Sequence, residues 1–275
     1  MPHNHNDHEH DENGNCMGHD HGHDHNHDDE SINYPFHHHY EAQRLNETQA
    51  QTIHVDWPEY IFHFGQESVE EPYSPALFNF VKDEQSISWL YLEACLDEEN
   101  DEEIILGLKA VDPDSGISVL GFEPFLDRIL ENGIHVLLNL PDHGEHAREH
   151  AGTILDELSR IWDEDCPTLV IASDSVNILD LAREIMPNQP RCWHVTQVQA
   201  ENNFSDIDEV IKEMKPSGLI IESALCSEER MNTLLDYEVP VLVMTQDSQL
   251  EAKRLQTQGA DCLISPFAHI LADSL

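Results

Sequence analysis

Several groups of side chains in this sequence have the type and spacing to do chemistry. His63 closes the apolar run Tyr60-Ile61-Phe62 and precedes Phe64, Gly65 and an acidic loop with two prolines, Pro72 and Pro75. An imidazole titrates near neutral pH, so at a strand end it is a candidate general acid or base. A histidine in that place is equally well a hydrogen-bonded structural residue. Glu93 sits near the end of "ISWLYLEAC" (87–95) and is a candidate metal ligand. Buried without a partner it would be expensive, so some partner is expected. The stretch "PDHGEHAREHAG" (141–152) holds Asp142, His143, His146 and His150. If a helix begins near Gly144, His146 and His150 share a face at i,i+4, a spacing with which two imidazoles can grip one metal. The order His-Glu-x-x-His is absent, and a polar helix start with water-facing histidines has the same appearance. In "GHDHGHDHNHDDE" (18–30), His19, His21, His23, His25 and His27 alternate with Asp, Asn and Gly. Such a tract captures Zn or Ni loosely and defines no single tetrahedral site. A merely solvating low-complexity tail is the other reading.

The rest of the composition narrows the partners. Against 55 Asp+Glu stand 13 Lys+Arg, a formal charge of −42 with neutral histidines. Nucleic acid and anionic membrane surfaces need a basic footprint and are excluded as expected partners. So much charge of one sign repels itself, and a salty habitat or cytosol relieves it. The six cysteines (16, 95, 166, 192, 226, 262) form no CxxC pair and several lie in apolar runs, as expected of reduced thiols in a cytoplasmic protein. "MPHNHNDHEH" has neither the basic start nor the apolar segment of a signal peptide. No apolar run approaches the ~18 residues of a membrane span, so no membrane insertion is expected.

Two regions have to position these groups. Residues 1–50 can build almost no core and are expected to be disordered. From about 55 to 275, short apolar runs alternate with helical patterns. The strand candidates are "EYIFHF" (59–64), "ISWLYLEAC" (87–95), "EIILGL" (103–108), "IHVLLNL" (134–140), "TLVIAS" (168–173), "RCWHVT" (191–196), "GLIIES" (218–223), "PVLVMT" (240–245) and "DCLIS" (261–265). Their length and β-branched content favour buried parallel strands. Ser175, Ser205, Ser227 and Asp247 are candidate N-caps, and Gly259 is placed to end a helix. Ile154, Leu155, Leu158, Ile161 and Trp162 have the spacing of a packing face. Alternating β and α over this length predicts an α/β fold, a (β/α)8 TIM-like barrel. Nine candidates compete for eight slots, so one is a loop strand. A doubly wound open sheet is the alternative, without a G-x-G-x-x-G or Walker loop to support nucleotide binding.

The order of these segments carries a resemblance. "EVPVLVMTQDSQLEAKRLQTQGADCLISP" (238–266) is similar to the end of a glycerophosphodiester phosphodiesterase, with Thr245, Gly259 and Asp261 kept, Met244 in place of Trp, and Ser265-Pro266 in place of Thr-Asp. "TLVIASDSVNILDLAREIMPNQP" (168–190) resembles the family's strand-Ser-Phe-Asp-helix-Pro segment, with Ser173 matching. "LGFEPFLDRILENGIHVLLNLP" (120–141) resembles its Thr-Leu-Glu-Glu-Val-Leu helix and the Glu-x-Lys strand after it. The resemblance covers about 59–270. It implies a barrel of the PLC-like phosphodiesterase type with its chemistry at the C-terminal strand ends. It also implies cleavage of glycerophosphodiesters with a divalent metal (Mg or Ca) on carboxylates, two histidines as acid and base, and an arginine on the phosphate.

At the matching positions most of that set is substituted. His-Arg-Gly becomes His63-Phe64-Gly65, so the histidine is present and the arginine is not. The Glu of a Pro-Glu-Asn-Thr loop becomes Tyr73. Glu-x-Asp becomes Glu93-Ala94-Cys95. The second histidine falls near Leu108-Lys109, and the fourth-strand Glu falls at Asn139. Each charge-stabilising group in such a site is worth about 3–4 kcal/mol. Losing several leaves little activity even without additivity. The expectation is a glycerophosphodiesterase-like protein, impaired or non-catalytic, with a metal-binding tail. Two alternatives stand beside it: an active metal-dependent phosphodiester hydrolase built on His63, Glu93 and the 142–150 cluster, and a metal-storage or delivery protein using the barrel as scaffold. The expected partners are a small phosphodiester or a metal ion.

Overall fold

A computed structural model describes residues 52–65, 73–97, 103–107, 121–142, 146–201, 207–246 and 248–272. The histidine-rich residues 1–50 lie outside the described residues. The order of elements is β1 (Tyr60–His63), α1 (Pro75–Asp83), β2 (Trp89–Leu96), β3 (Ile104–Leu106), α2 (Phe122–Asn132), β4 (His135–Asn139), α3 (Ala147–Ile161), β5 (Leu169–Ser173) and α4 (Val176–Ile185). There follow β6 (Arg191–Val195), α5 (Gln197–Glu201), α6 (Ile207–Met214), β7 (Gly218–Glu222), a 3-10 turn (Ser223–Leu225), α7 (Glu228–Leu235), β8 (Val241–Met244), α8 (Gln249–Thr257), β9 (Cys262–Ser265) and α9 (Ala268–Ala272).

β1, β2 and β4 through β9 pair in parallel, and β1 meets both β2 and β9, so the sheet closes on itself as an eight-stranded barrel. All nine predicted strands form. The surplus one is β3, which runs antiparallel to the end of β2, with Ala94 opposite Leu106 and Leu96 opposite Ile104. It extends β2 beyond the barrel rim as a hairpin. β4, fourth in the chain, is therefore the third stave.

Strand residues alternate between two cores. Ile61, Trp89, Tyr91, Leu137, Val170, Ala172, Cys192, Ile220, Leu242, Cys262 and Ile264 fill the barrel. The intervening residues meet the helices, which present apolar stripes: α3 buries Ala147, Ala151, Ile154, Leu155 and Leu158. Trp162 follows this helix, buried, and donates Nε1–H to Pro167 O at 2.6 Å. The N-terminal end of the barrel is plugged by the segment before β1. Val55 packs inside, Trp57 lies 5.4 Å from Trp89 and donates Nε1–H to Ser217 O, and Ser217 Oγ donates to Ile53 O.

The helix ends follow ordinary capping physics. Ser227 accepts from Arg230 N–H at 3.2 Å, and Ser175 is the N-cap of α4 without a side-chain bond. Ser248, rather than the predicted Asp247, caps α8; Asp247 and Ser205 lie outside the described residues. Gly259, at φ +97°, follows α8 and lets the chain turn back into β9. Cys95, Cys166, Cys192, Cys226 and Cys262 are not joined in disulfides. None of the described helices is long and apolar enough to cross a membrane.

Candidate functional site

In a parallel barrel the strands deliver their inward residues to the C-terminal rim. Two residues beyond Ile61, Tyr91, Leu137, Cys192, Ile220 and Leu242 come His63, Glu93, Asn139, His194, Glu222 and Met244. A strand repeats its facing every second residue, so these six belong to the inward face at the barrel mouth. Sequence reasoning singled out His63 and Glu93 and noted the Asn139 substitution. It missed His194. The signal was there, since His194 shares a face with buried Cys192 while Trp193 faces the helices.

His63 is 8% exposed and meets Tyr91 edge-on with ring centroids 4.8 Å apart. Burial, reinforced by the neighbouring His194, holds its pKa down at about 4, so the ring is neutral at physiological pH. Burial also lowers His194, against a smaller opposing pull from Asp174. Glu93 Oε1 accepts from Tyr91 Oη–H at 3.3 Å and from Asn139 Nδ2–H at 3.2 Å. Glu93 and Asn139 are direct register partners on β2 and β4. Asn139 is 3% exposed, and its Oδ1 has no hydrogen-bond partner among the described residues.

The residue after His63 faces the other way. Phe64 is fully buried outside the barrel, 5.2 Å from Phe125, 5.8 Å from Tyr73 and 6.3 Å from Phe78 by ring centroids. Tyr73 stands on a left-handed backbone at φ 58° and lies across Gly65, where an added Cβ would fall 1.7 Å from its Oη. Glycine after Phe64 therefore leaves the room that the tyrosine ring occupies. The position of the loop carboxylate is thus taken by a ring that ties the β1 loop to the β2–β3 hairpin, whose Gly107 N–H donates to Glu93 O at 2.8 Å.

The 142–150 cluster does not join Glu93 among the described residues. Asp142 is exposed, and its backbone N–H donates to Asp174 Oδ1 at 3.0 Å. α3 begins at Ala147, so His146 is its N-cap rather than an interior residue, with φ −108° and ψ 14°. The His146 and His150 rings still stack at 6.2 Å, and His146 Nδ1 lies 3.0 Å from the exposed carboxylate of Glu149. His150 lines a shallow recess with Ala94, Leu140 and Ile154, on the helix side of β2. His143, Leu108-Lys109 and the tail histidines His19, His21, His23, His25 and His27 lie outside the described residues. No group of three or more His, Cys, Asp or Glu is arranged to hold a metal among the described residues. Of the six strand-end residues Glu93 and Glu222 are the carboxylates, and Asn139 directs its amide N–H at Glu93.

Comparison with solved structures places this geometry. A phosphodiesterase of Oleispira antarctica, solved with its product sn-glycerol-3-phosphate, superposes with a TM-score of 0.66 at 16% identity, covering 78% of this chain and 96% of that one. The fold is that of the glycerophosphodiester phosphodiesterases. The Parabacteroides distasonis enzyme matches at TM-score 0.60 and 13% identity over 78% of this chain and 95% of its own. That of Thermotoga maritima matches at 0.59 and 13%, over 80% and 99%. No family model and no curated protein matches the sequence. The glycerophosphodiesterase fold is thus kept across nearly the whole length of these enzymes, while identity is too low to carry their activity.

Proposed function

We propose that this chain is a non-hydrolytic protein on the glycerophosphodiesterase fold, with its barrel mouth kept as a binding site. The observation that carries the reading is Phe64. The position beside His63, where a guanidinium would meet phosphate, is an aromatic residue buried on the far side of β1. No inward strand-end position among His63, Glu93, Asn139, His194, Glu222 and Met244 is occupied by lysine or arginine. At these described positions a phosphodiester would meet carboxylates and imidazoles and no cationic side chain to neutralise its charge, and that neutralisation is usually the largest part of catalysis. The test is hydrolysis of glycerophosphocholine with Mg, Ca, Mn or Zn. The expected rate for the unmodified protein equals that of His63→Ala. Turnover that disappears in His63→Ala is the result that favours the active-hydrolase alternative.

The tail belongs to the same proposal as a loose Zn or Ni binder, supported by its alternation of imidazoles and carboxylates. Deleting residues 1–50 is expected to abolish most Zn and Ni uptake, measured as bound metal per chain after dialysis. Unchanged stoichiometry would assign the metal to the barrel.

A further inference from the structure

Five large apolar side chains are exposed among the described residues, and three of them, Phe80, Phe267 and Ile270, lie on α1, on α9 or in the turn that starts α9. Ring contacts show how these two helices meet. Phe62, on the outer face of β1, has its ring 6.2 Å from Phe80 and 6.1 Å from His269, and Phe80 meets His269 edge-on at 4.9 Å. α1 and α9 thus lie side by side over β1. Ile270 follows His269 and stands one turn on from Phe267, whose carbonyl accepts its N–H at 2.9 Å. The three exposed side chains therefore gather at the seam between α1 and α9. Single apolar residues on a surface are ordinary, whereas a contiguous group marks a contact face.

Charge is missing from the same face. One residue in five of this chain is acidic, 55 of 275, yet Tyr73–Lys82 and Cys262–Ala272 contain no Asp or Glu. α1 ends in the adjacent Lys82 and Asp83, which cancel, and α9 has no Asp, Glu, Lys or Arg. By contrast α2, α3, α4, α6 and α7 each carry two or three carboxylates. A basic partner is drawn toward the carboxylates elsewhere on the chain. A second copy carries the same charge of −42 and is repelled wherever carboxylates face it, so it can approach where both surfaces are uncharged. We infer that the α1/α9 face is the contact between two copies of this chain, set against itself across a two-fold axis, with Phe80, Phe267 and Ile270 of each copy covered by the other. The inference uses no residue of the barrel mouth and goes beyond the non-hydrolytic reading without resting on it.

Sedimentation velocity of the full-length protein at pH 7 tests it, with a chelator present so that metal cannot bridge the histidine-rich tails. At about 1 M NaCl, where the Debye length is about 3 Å, the protein is expected to sediment as a dimer. At about 0.01 M, where that length is about 30 Å, it is expected to be a monomer. An interface held by ion pairs has the opposite dependence. Ile270→Asp places a carboxylate on each side of the seam and should weaken association at high salt by about tenfold or more. Val198→Asp, on α5 after the stave opposite β1, should leave it unchanged. Both positions are exposed, and the salt comparison needs no variant. A monomer at both salts, a dimer that salt dissociates, or association that Ile270→Asp leaves intact overturns the inference. Equal weakening by Val198→Asp overturns it too, by placing the contact elsewhere. So does a monomer that binds phosphatidylcholine vesicles through Ile270, which would give the face to a neutral lipid surface.

Discussion

Replacing Phe64 with arginine, which rebuilds the His-Arg-Gly order, is expected to destabilise the barrel by about 4 kcal/mol or more and to confer no hydrolysis. The Phe64 ring is fully buried among Phe125, Tyr73 and Phe78, and truncating such a phenylalanine typically costs about 3–5 kcal/mol. An arginine there must also desolvate its guanidinium or leave the cluster. The face of Phe78 already receives Arg128, with Cζ 5.8 Å from the ring centroid, so a second cation finds that surface occupied. Phe64→Leu, which keeps most of the volume, should cost only about 1 kcal/mol. Urea midpoints of the three proteins check the ordering. An arginine variant as stable as the parent, and able to bind glycerol 3-phosphate, would mean that the side chain swings into the mouth and that a single substitution restores the phosphate site.

The two neighbours His63 and Phe64 mark how far the sequence could be read. Every stave was legible, because a buried parallel strand is a short apolar run bounded by turn residues, and nine such runs are present. Direction was not legible. Ile104–Leu106 has the texture of a stave, and only pairing shows that it folds back antiparallel on β2 and leaves β4 as the third stave. Facing was half legible. Period-two alternation already puts Phe64 opposite His63 and His194 on the side of Cys192, yet a lone histidine inside "RCWHVT" carries no local mark of a mouth position. The 142–150 cluster shows the limit of spacing. His146 and His150 lie four apart and their rings stack from the N-cap and first turn of α3, yet spacing alone does not bring them to Glu93. Whether rim groups converge depends on loop geometry, which periodicity does not encode.

His63 should also make the barrel acid-labile. Its pKa is depressed from 6.5 in the unfolded chain to about 4 in the fold, chiefly by burial and then by His194. Between those values the unfolded state binds the proton and the folded state does not. Stability contributed by the neutral ring is therefore full above about pH 6.5 and lost progressively as pH falls toward 4. A depression of that size corresponds to about 3 kcal/mol over the window. Other groups titrate in the same range. His194 and His135 are lowered by burial as well, and His135 Nδ1 accepts from Thr168 N–H at 2.9 Å, a bond that protonation removes. Glu93, Glu222 and Asp174 also face the mouth. A difference measurement isolates His63. From pH 7 to 4, urea unfolding of the parent should lose about 3 kcal/mol more than that of His63→Gln, whose side chain does not titrate. Parallel curves would mean that the folded mouth accepts a proton on His63 at little cost. The ring would then be available as imidazolium, a cationic group able to meet a phosphate there, and the case against hydrolysis would lose its electrostatic half.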